Sequence, residues 1–540
     1  MKIMKNIMKK TIITAFVALL VFSCTDDFEA LNTDPNGLTD EQSQADFTNV
    51  GGPFKPIFLN LYRYDPAWHT QLQHNLNADT FCGYMAPPNP FANGANTTNY
   101  AFIGFWDQFP WDIPYSSTGV MKNAGLIKIR GEERFPLMYA VAKVLRVLGM
   151  HRVTDVYGPI VYSKYGLNPT FSEYDRQEDV YNQFFVELEE AITTLSTDPS
   201  NTQFANFDLV YGGNLGQWIK FANTLRLRLA IRISKVAPAK AKIEAEKSLA
   251  HPGGLLESNA DNFLIQGGAT HPLTTFNSSW NDVRMNASME SILVGYNDAR
   301  GPVLFEESNV TPGQLKGLRG GMPLLPGYSA ALDQKEDYVE FSRLGDSYIA
   351  DRTPTTSIQL MNAAEAYFLK AEAALRGWTG AGDAQANYEM GINTSFAQHE
   401  VSGDAPAYIS DNTSTAIDYV DPVNSSNNIN AVSNITVSWD AGATNEEKLE
   451  KIITQKWIAI FPDGQEAWSE YRRTSYPKIF PVVVNNSGGT IDTDLQVRRL
   501  PFPNSEISTN PQGVAQARTL LGGADNGGTR LWWDVPGGNF

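Results

Sequence analysis

Met361-Asn362-Ala363-Ala364-Glu365-Ala366-Tyr367-Phe368-Leu369-Lys370-Ala371-Glu372-Ala373-Ala374-Leu375-Arg376, running into Gly377-Trp378-Thr379-Gly380-Ala381-Gly382, is the stretch that decides the fold. Met361, Ala364, Tyr367, Phe368, Ala371 and Leu375 recur at the helical period, which predicts an amphipathic helix over 357–376. Gly377 stands where a left-handed C-cap would close it. A further helix is predicted near 383–397, and so short a turn between two helices makes them antiparallel neighbours. Helix pairs with small Ala and Gly contacts are the unit of tetratricopeptide-type arrays. No clean repeat of about 34 residues is visible, so any such array is degenerate and interrupted.

Four more stretches carry the same period. Residues 133–152 place Phe135, Met138, Val141, Ala142, Leu145 and Leu148 on one face, and 177–196 place Val180, Phe184, Leu188, Ala191 and Leu195. Asp175 and Glu178 supply acidic chemistry where that second helix begins. Residues 215–235 carry Trp218, Phe221, Ala222, Leu225 and Leu229. Residues 445–461 open on Thr444-Asn445-Glu446-Glu447, a capping-box pattern, followed by Leu449, Ile452, Ile453, Trp457 and Ile460. Between these helices, 81–116 is rich in Pro, Asn, Gly and aromatics, and 251–356 is mostly irregular. Residues 399–444 read as an inserted loop with a short strand. Long loops inside a compact domain are more often functional or disordered than filler.

The N-terminal segment is of another kind. Lys2, Lys5, Lys9 and Lys10 precede an uncharged apolar run from Thr11 to Phe22. That run is shorter than the roughly 20 residues a membrane-spanning helix needs and suits a signal peptide. It ends at Ser23-Cys24, so residues 1–23 are expected to be a lipoprotein signal and Cys24 the acylation site. Phe22 is bulkier than such a site usually carries, and an ordinary secretory signal is the alternative. Residues 24–45 would then be a lipidated tether, acidic at Asp26, Asp27 and Glu29, and 46–540 a single domain. Several acyl chains, at about 0.8 kcal/mol per buried CH₂, anchor a protein without a spanning helix. Asn32, Asp34, Asn36 and Gly37 have the spacing of a calcium loop, but Ser43 stands where a bidentate Glu is needed, so a turn is expected.

The chain has 540 residues, a net charge of −17 and two cysteines. The acidic balance argues against a nucleic-acid partner, which would require a basic footprint. With Cys24 acylated, Cys82 has no disulfide partner, and stability must come from a large core. No His-Glu-x-x-His pair, Gly-x-Ser-x-Gly elbow or phosphate-binding Gly-x-x-x-x-Gly-Lys is present. His69 and His74 are five apart and do not share a helix face, so no metal and no cofactor is expected. Paired carboxylates for glycosidase chemistry need not be close in sequence, so a surface glycoside hydrolase stays open as a weaker alternative.

Segments spread along the chain resemble the SusD/RagB family of nutrient-binding outer-membrane lipoproteins. They are the lipobox with Asn32-Thr33-Asp34-Pro35-Asn36, Thr154-Asp155-Val156-Tyr157-Gly158-Pro159, and Trp218 through Arg228. Asn362-Ala363-Ala364-Glu365-Ala366 with Lys370-Ala371-Glu372-Ala373, and Gln455-Lys456-Trp457 with Glu466-Ala467-Trp468, continue the set. Tyr471 to Pro477 and Arg498 to Glu506 complete it. The resemblance implies a mainly α fold, with tetratricopeptide-like helix pairs in a right-handed superhelical body, long irregular loops and minor β structure. It implies no enzyme activity. It implies a cell-surface lid that captures oligosaccharides, or in some members peptides, for a SusC-like TonB-dependent outer-membrane barrel.

Most of these segments read physically as structural. Arg226, Arg228 and Arg232 are expected to meet carboxylates within the fold. Glu365 and Glu372, seven apart on one helix face, are expected to pair with Arg472 or Arg473. Trp532-Trp533 should close the core. A sugar site needs exposed aromatic planes beside hydroxyl-binding side chains. Two loop regions have that mixture, Trp68 through Trp111 and Asn277 through Arg284, and the resemblance places binding aromatics in the same parts of the chain. Tyr84, Trp106 and Trp280 are the predicted stacking residues, with Asn77, Asn96 and Arg284 for hydroxyls. A protein-binding scaffold is the remaining reading, since helix-pair arrays commonly hold protein partners.

Overall fold

The structure is a computed structural model that describes residues 46–540 apart from 89–90, 169, 310, 324–339 and 423. The predicted signal 1–23, Cys24 and the tether 24–45 lie outside the described residues. The chain divides into two units, 1–50 and 51–540. Of the first, only the turn entering a short helix at Thr48 is described. All that follows concerns the second.

Among the described residues, twelve longer helices carry the fold. They are α1 (Phe54–Leu61), α2 (Val120–Gly131), α3 (Pro136–Tyr157), α4 (Gln177–Leu195), α5 (Leu215–Arg232) and α6 (Pro238–Ala250). They continue as α7 (Ala287–Gly295), α8 (Ala363–Leu375), α9 (Ala384–Gln398), α10 (Asn445–Ala459), α11 (Gly464–Thr474) and α12 (Pro511–Leu520). Chain neighbours pack together from α2 through α6, α8 packs on α9, and both rest on α10. The α5–α8 contact joins the earlier group to the later one. The four strands among the described residues are short: β1 (Met85–Ala86) pairs with β3 (Arg284–Met285), and β2 (Phe263–Gln266) with β4 (Ser357–Met361), both antiparallel.

Local chemistry explains the helix starts. Pro136, Pro238 and Pro511 occupy first helical positions, where the missing N–H costs nothing. Asn214, Asp383 and Asp463 accept from backbone N–H groups of the first turns they precede. The capping box expected at Thr444 is present, with Glu447 reaching back to its backbone N–H. At Asn362 the same chemistry corrects the predicted boundary. Its side chain accepts from the Glu365 N–H at 2.9 Å, so α8 starts at Ala363 and residues 357–361 are strand. Ile358 and Leu360 alternate as buried residues of that strand, a period of two that the longer helical pattern masks. Gly377 has φ +69°, the left-handed cap expected there. Where α9 crosses α8, a Cβ on Gly391 would lie 2.7 Å from the Phe368 ring, so the close approach requires glycine.

At the centre the core is ionic as well as apolar. Arg228 forms a two-pronged pair with Glu365 at 2.8 and 2.5 Å, and Arg473 one with Glu372 at 2.7 Å twice. Arg232 meets Glu466 at 2.6 Å and Glu470 at 3.3 Å. Lys456 lies between Glu365 at 3.2 Å and Glu466 at 3.1 Å. Every one of these groups is buried. The expectation for Glu372 and Arg473 therefore holds, whereas Glu365 pairs with Arg228 and Lys456 instead. Arg472 takes neither glutamate: it donates to the carbonyls of Asp155 and Arg498 and lies over the Trp468 ring. Trp533 is fully buried and donates to Asp155 at 2.8 Å; Trp532 is only partly covered.

This centre sets an acid limit on the fold. Burial opposes ionisation of Glu372, but Arg473 and Arg376 outweigh it and hold the carboxyl down to about 2. A carboxyl whose folded pKa lies below its unfolded value stabilises the fold above the unfolded value and loses that contribution as pH falls through the folded one. Glu372 is thus expected to cost the fold stability between pH 4.5 and 2. Chemical denaturation across that range should show a shallower pH dependence for Glu372→Gln than for the native chain.

Candidate functional site

Strands β1 and β3 bring the two sequence-predicted loop regions together, with Met85 opposite Met285 and Ala86 opposite Arg284. A side-chain bond fastens them further, from Gln71 Nε2 to Asp282 Oδ2 at 3.1 Å. Each region contains one π-helical turn, Gln71–Asn75 in the first and Thr275–Ser279 in the second. Both close on bonds spanning five residues, Leu76 N–H to the Gln71 carbonyl and Trp280 N–H to the Thr275 carbonyl, each 2.9 Å. Such turns are rare and frequently mark functional sites.

The predicted site residues separate into two groups. Tyr84 has no exposed surface; its hydroxyl donates to the Trp457 carbonyl and its ring packs against Trp457 and Phe461. Asn77 is buried, donating to the Leu72 carbonyl at 2.6 Å. Asn96 is buried and caps a short turn, accepting from Thr98 N–H at 2.9 Å and donating to the Phe91 carbonyl at 2.8 Å. Arg284 is buried in β3 and donates to the Val283 carbonyl at 2.8 Å. Asn77, Asn96 and Arg284 satisfy the backbone of their own loops, whereas Tyr84 satisfies a carbonyl of α10; in each case a buried backbone group needed the side chain. Replacing Tyr84 by phenylalanine should therefore cost about 1 kcal/mol of stability through the lost hydrogen bond and leave ligand affinity unchanged. Denaturant titration and calorimetric titration on the same variant separate the two.

Trp106 and Trp280 remain partly exposed. Trp106 packs edge-on to Phe91 at 5.9 Å, above a cluster of Leu72, Leu76, Phe109 and Ile113. Trp280 stacks on Phe276 at 5.5 Å. The more open rings were not singled out from the sequence. Trp68 is 40 % exposed and Phe105 54 % exposed. Both lean on one buried ring, Phe109, at 5.3 and 5.4 Å. The result is an aromatic platform with Trp68 and Phe105 outermost and Phe109 as their support. His69 packs edge-on to Trp68 at 4.0 Å, and burial and the nearby Arg63 charge lower its pKa, keeping it neutral at pH 7. Gln108, Ser279 and Asn281, in the same two loop regions, are partly or fully exposed.

An exposed, rigidly backed aromatic plane offers its face to C–H groups, and amide and hydroxyl side chains serve hydroxyls. Among the described residues no group of His, Cys, Asp and Glu is arranged to hold a metal ion.

Residues 30–534 match the model of the SusD-like family, described as SusD and RagB outer membrane lipoprotein. Solved structures agree with it. A chitin-binding SusD homologue from Flavobacterium johnsoniae is 49% identical, with a TM-score of 0.86, covering 91% of this chain and 100% of that one. A SusD homologue from Bacteroides vulgatus is 36% identical with a TM-score of 0.85, covering 92% and 100%. One from Bacteroides uniformis is 37% identical with a TM-score of 0.81, covering 90% and 99%. A search of curated proteins found no match.

Proposed function

This chain belongs to the SusD-like family of outer-membrane lipoproteins, and from that premise we propose that it captures chitin-type oligosaccharides on the Trp68–Phe105 platform. It does so as a binding protein and not as an enzyme. The observation that carries the reading is the pair of exposed rings on Phe109, set in a chain 49% identical to a chitin-binding homologue. An N-acetylglucosamine ring has an apolar C–H face for such rings and an acetamido group for amides such as Gln108 in the same loop region. Trp106 and Trp280, partly exposed in the adjoining loops, extend the surface for further sugar units. The captured oligosaccharide then passes to a SusC-like TonB-dependent barrel, with the protein held at the cell surface by lipid on Cys24.

Calorimetric titration with soluble N-acetylglucosamine oligomers tests the ligand, with malto-, xylo- and cello-oligosaccharides and peptides as competitors. Saturable binding of the chitin oligomers without cleavage is expected. Binding of peptides alone would overturn the glycan reading, and release of shorter sugars would overturn the binding-only role. Mass spectrometry of the mature N-terminus tests the anchor, and co-purification from outer membranes tests the barrel.

A further inference from the structure

A cleft of about 810 Å³ lies beside the C-terminal end of α11, between the loop around Ile429 and the last residues of the chain. It shares no residue with the aromatic platform. Its volume falls in the range of small-molecule sites, roughly 300–1,000 Å³.

One wall is polar and held in place. The Glu446 carboxylate accepts the Asn539 backbone N–H at 2.5 Å, the Asn539 amide at 2.9 Å and the Tyr476 hydroxyl at 3.3 Å. An ionised carboxylate offers about four lone-pair positions, so Glu446 is fixed in orientation yet retains capacity to accept. Asp494 adds an exposed acid at the rim. The cleft holds acids and bases together. Arg498 is gripped by Asp534 at 2.7 and 2.6 Å, an acid that also takes Arg530 at 2.6 Å, and the exposed Lys478 is paired with Glu450 at 3.1 Å. With Glu446 and Asp494 facing these cations, the cleft favours neither sign of charge. The opposite character comes from Leu495, which is 45 % exposed, and from the partly exposed Ile429 and Tyr476.

Acceptors on one side and an apolar wall on the other match a ligand with donating hydroxyls and C–H faces but no charge. We infer that this cleft is a second glycan-binding site, taking a neutral oligosaccharide independently of the platform. Two sites on one chain would let a long polysaccharide be gripped at two points, raising its effective affinity without any new contact.

The test is calorimetric titration of neutral oligosaccharides, chitin oligomers included, on the native protein, Trp68→Ala/Phe105→Ala, Leu495→Asp and the triple variant. Leu495 is exposed, so Leu495→Asp removes the apolar wall without disturbing the core, and unchanged melting confirms that. Residual saturable binding is expected after loss of the platform, weakened at least about tenfold when Leu495→Asp is added. Residual binding that ignores Leu495→Asp would overturn the inference. So would binding abolished by the platform variant alone, an outcome that supports the platform. Binding of the native protein untouched by the platform variant but lost in Leu495→Asp would instead sink the platform reading and keep this one. Absence of any sugar binding, or binding of peptides only, overturns both.

Discussion

Glu466→Ala is expected to destabilise the fold by roughly 3–5 kcal/mol, the range for breaking a buried ion pair from one side. Glu466 is buried, with Arg232 at 2.6 Å, Lys456 at 3.1 Å and Arg228 at 3.7 Å. Burial opposes its ionisation, and Arg232, Arg228 and Lys456 overcome that, holding the carboxyl well below the usual carboxylate range. Alanine leaves three buried cations sharing Glu365, Glu470 and Asp155. Domains are typically stable by only about 5–15 kcal/mol, so such a loss should appear as poor soluble yield and a much lower melting temperature. The cost belongs to breaking the network and not to its net worth. Arg228→Met combined with Glu365→Leu should accordingly be milder than either change alone. A Glu466→Ala protein that melts where the native protein does would refute the ionic centre as a structural necessity.

The platform variant Trp68→Ala/Phe105→Ala should do the reverse, with binding lost and the fold kept. Exposed aromatic anchors at ligand surfaces commonly cost about 2 kcal/mol or more on truncation, which corresponds to roughly 30-fold in affinity. Both rings lie outside the buried cluster, and what is given up is their contacts with Phe109 and that of Trp68 with the neighbouring His69. Chitin-oligomer affinity should fall at least that far while the thermal transition moves little. Tyr84→Ala makes the contrast, because emptying a fully buried aromatic position costs about 3–5 kcal/mol of stability. If the double variant bound chitin oligomers as tightly as the native protein, the platform assignment would fail.

The helices legible in the sequence are those whose period is written in apolar side chains. The predicted spans at 177–196 and 215–235 differ from α4 and α5 by no more than a few residues, because Phe184, Leu188, Trp218 and Phe221 mark one face. Helix α11 shows only a short stripe of Ala467, Trp468 and Tyr471. Two Glu and two Arg stand among its eleven residues, yet every residue in it is buried. Its inward period is carried by Glu466, Glu470 and Arg473, whose burial depends in large part on Arg232 and Glu372, both far away in the sequence. The site was legible at the level of regions, since both aromatic loops meet at β1 and β3. It was not legible residue by residue. Tyr84 and Trp68 look equally suited to a sugar, and only the distant carbonyl of Trp457 decides that Tyr84 faces inward. Asn96 was claimed by its own turn, a pattern that Asn96-Thr97-Thr98-Asn99 does contain and that reciprocal capping could have exposed.

Cys82 has a practical consequence. It is buried, its thiol faces the Asp79 carbonyl at 3.4 Å, and burial pushes its pKa well above the ordinary range. A thiol so placed reacts only as thiolate and only when reached by reagent, so alkylation must wait for the surrounding structure to open. The neighbouring indole of Trp457 donates to the Cys82 carbonyl at 2.9 Å, tying this spot to α10. Labelling of Cys82 thus acts as a clock for large-scale opening, read by mass spectrometry without any added probe. Ligands that tighten the molecule should slow that clock, even when they bind far from the sulfur.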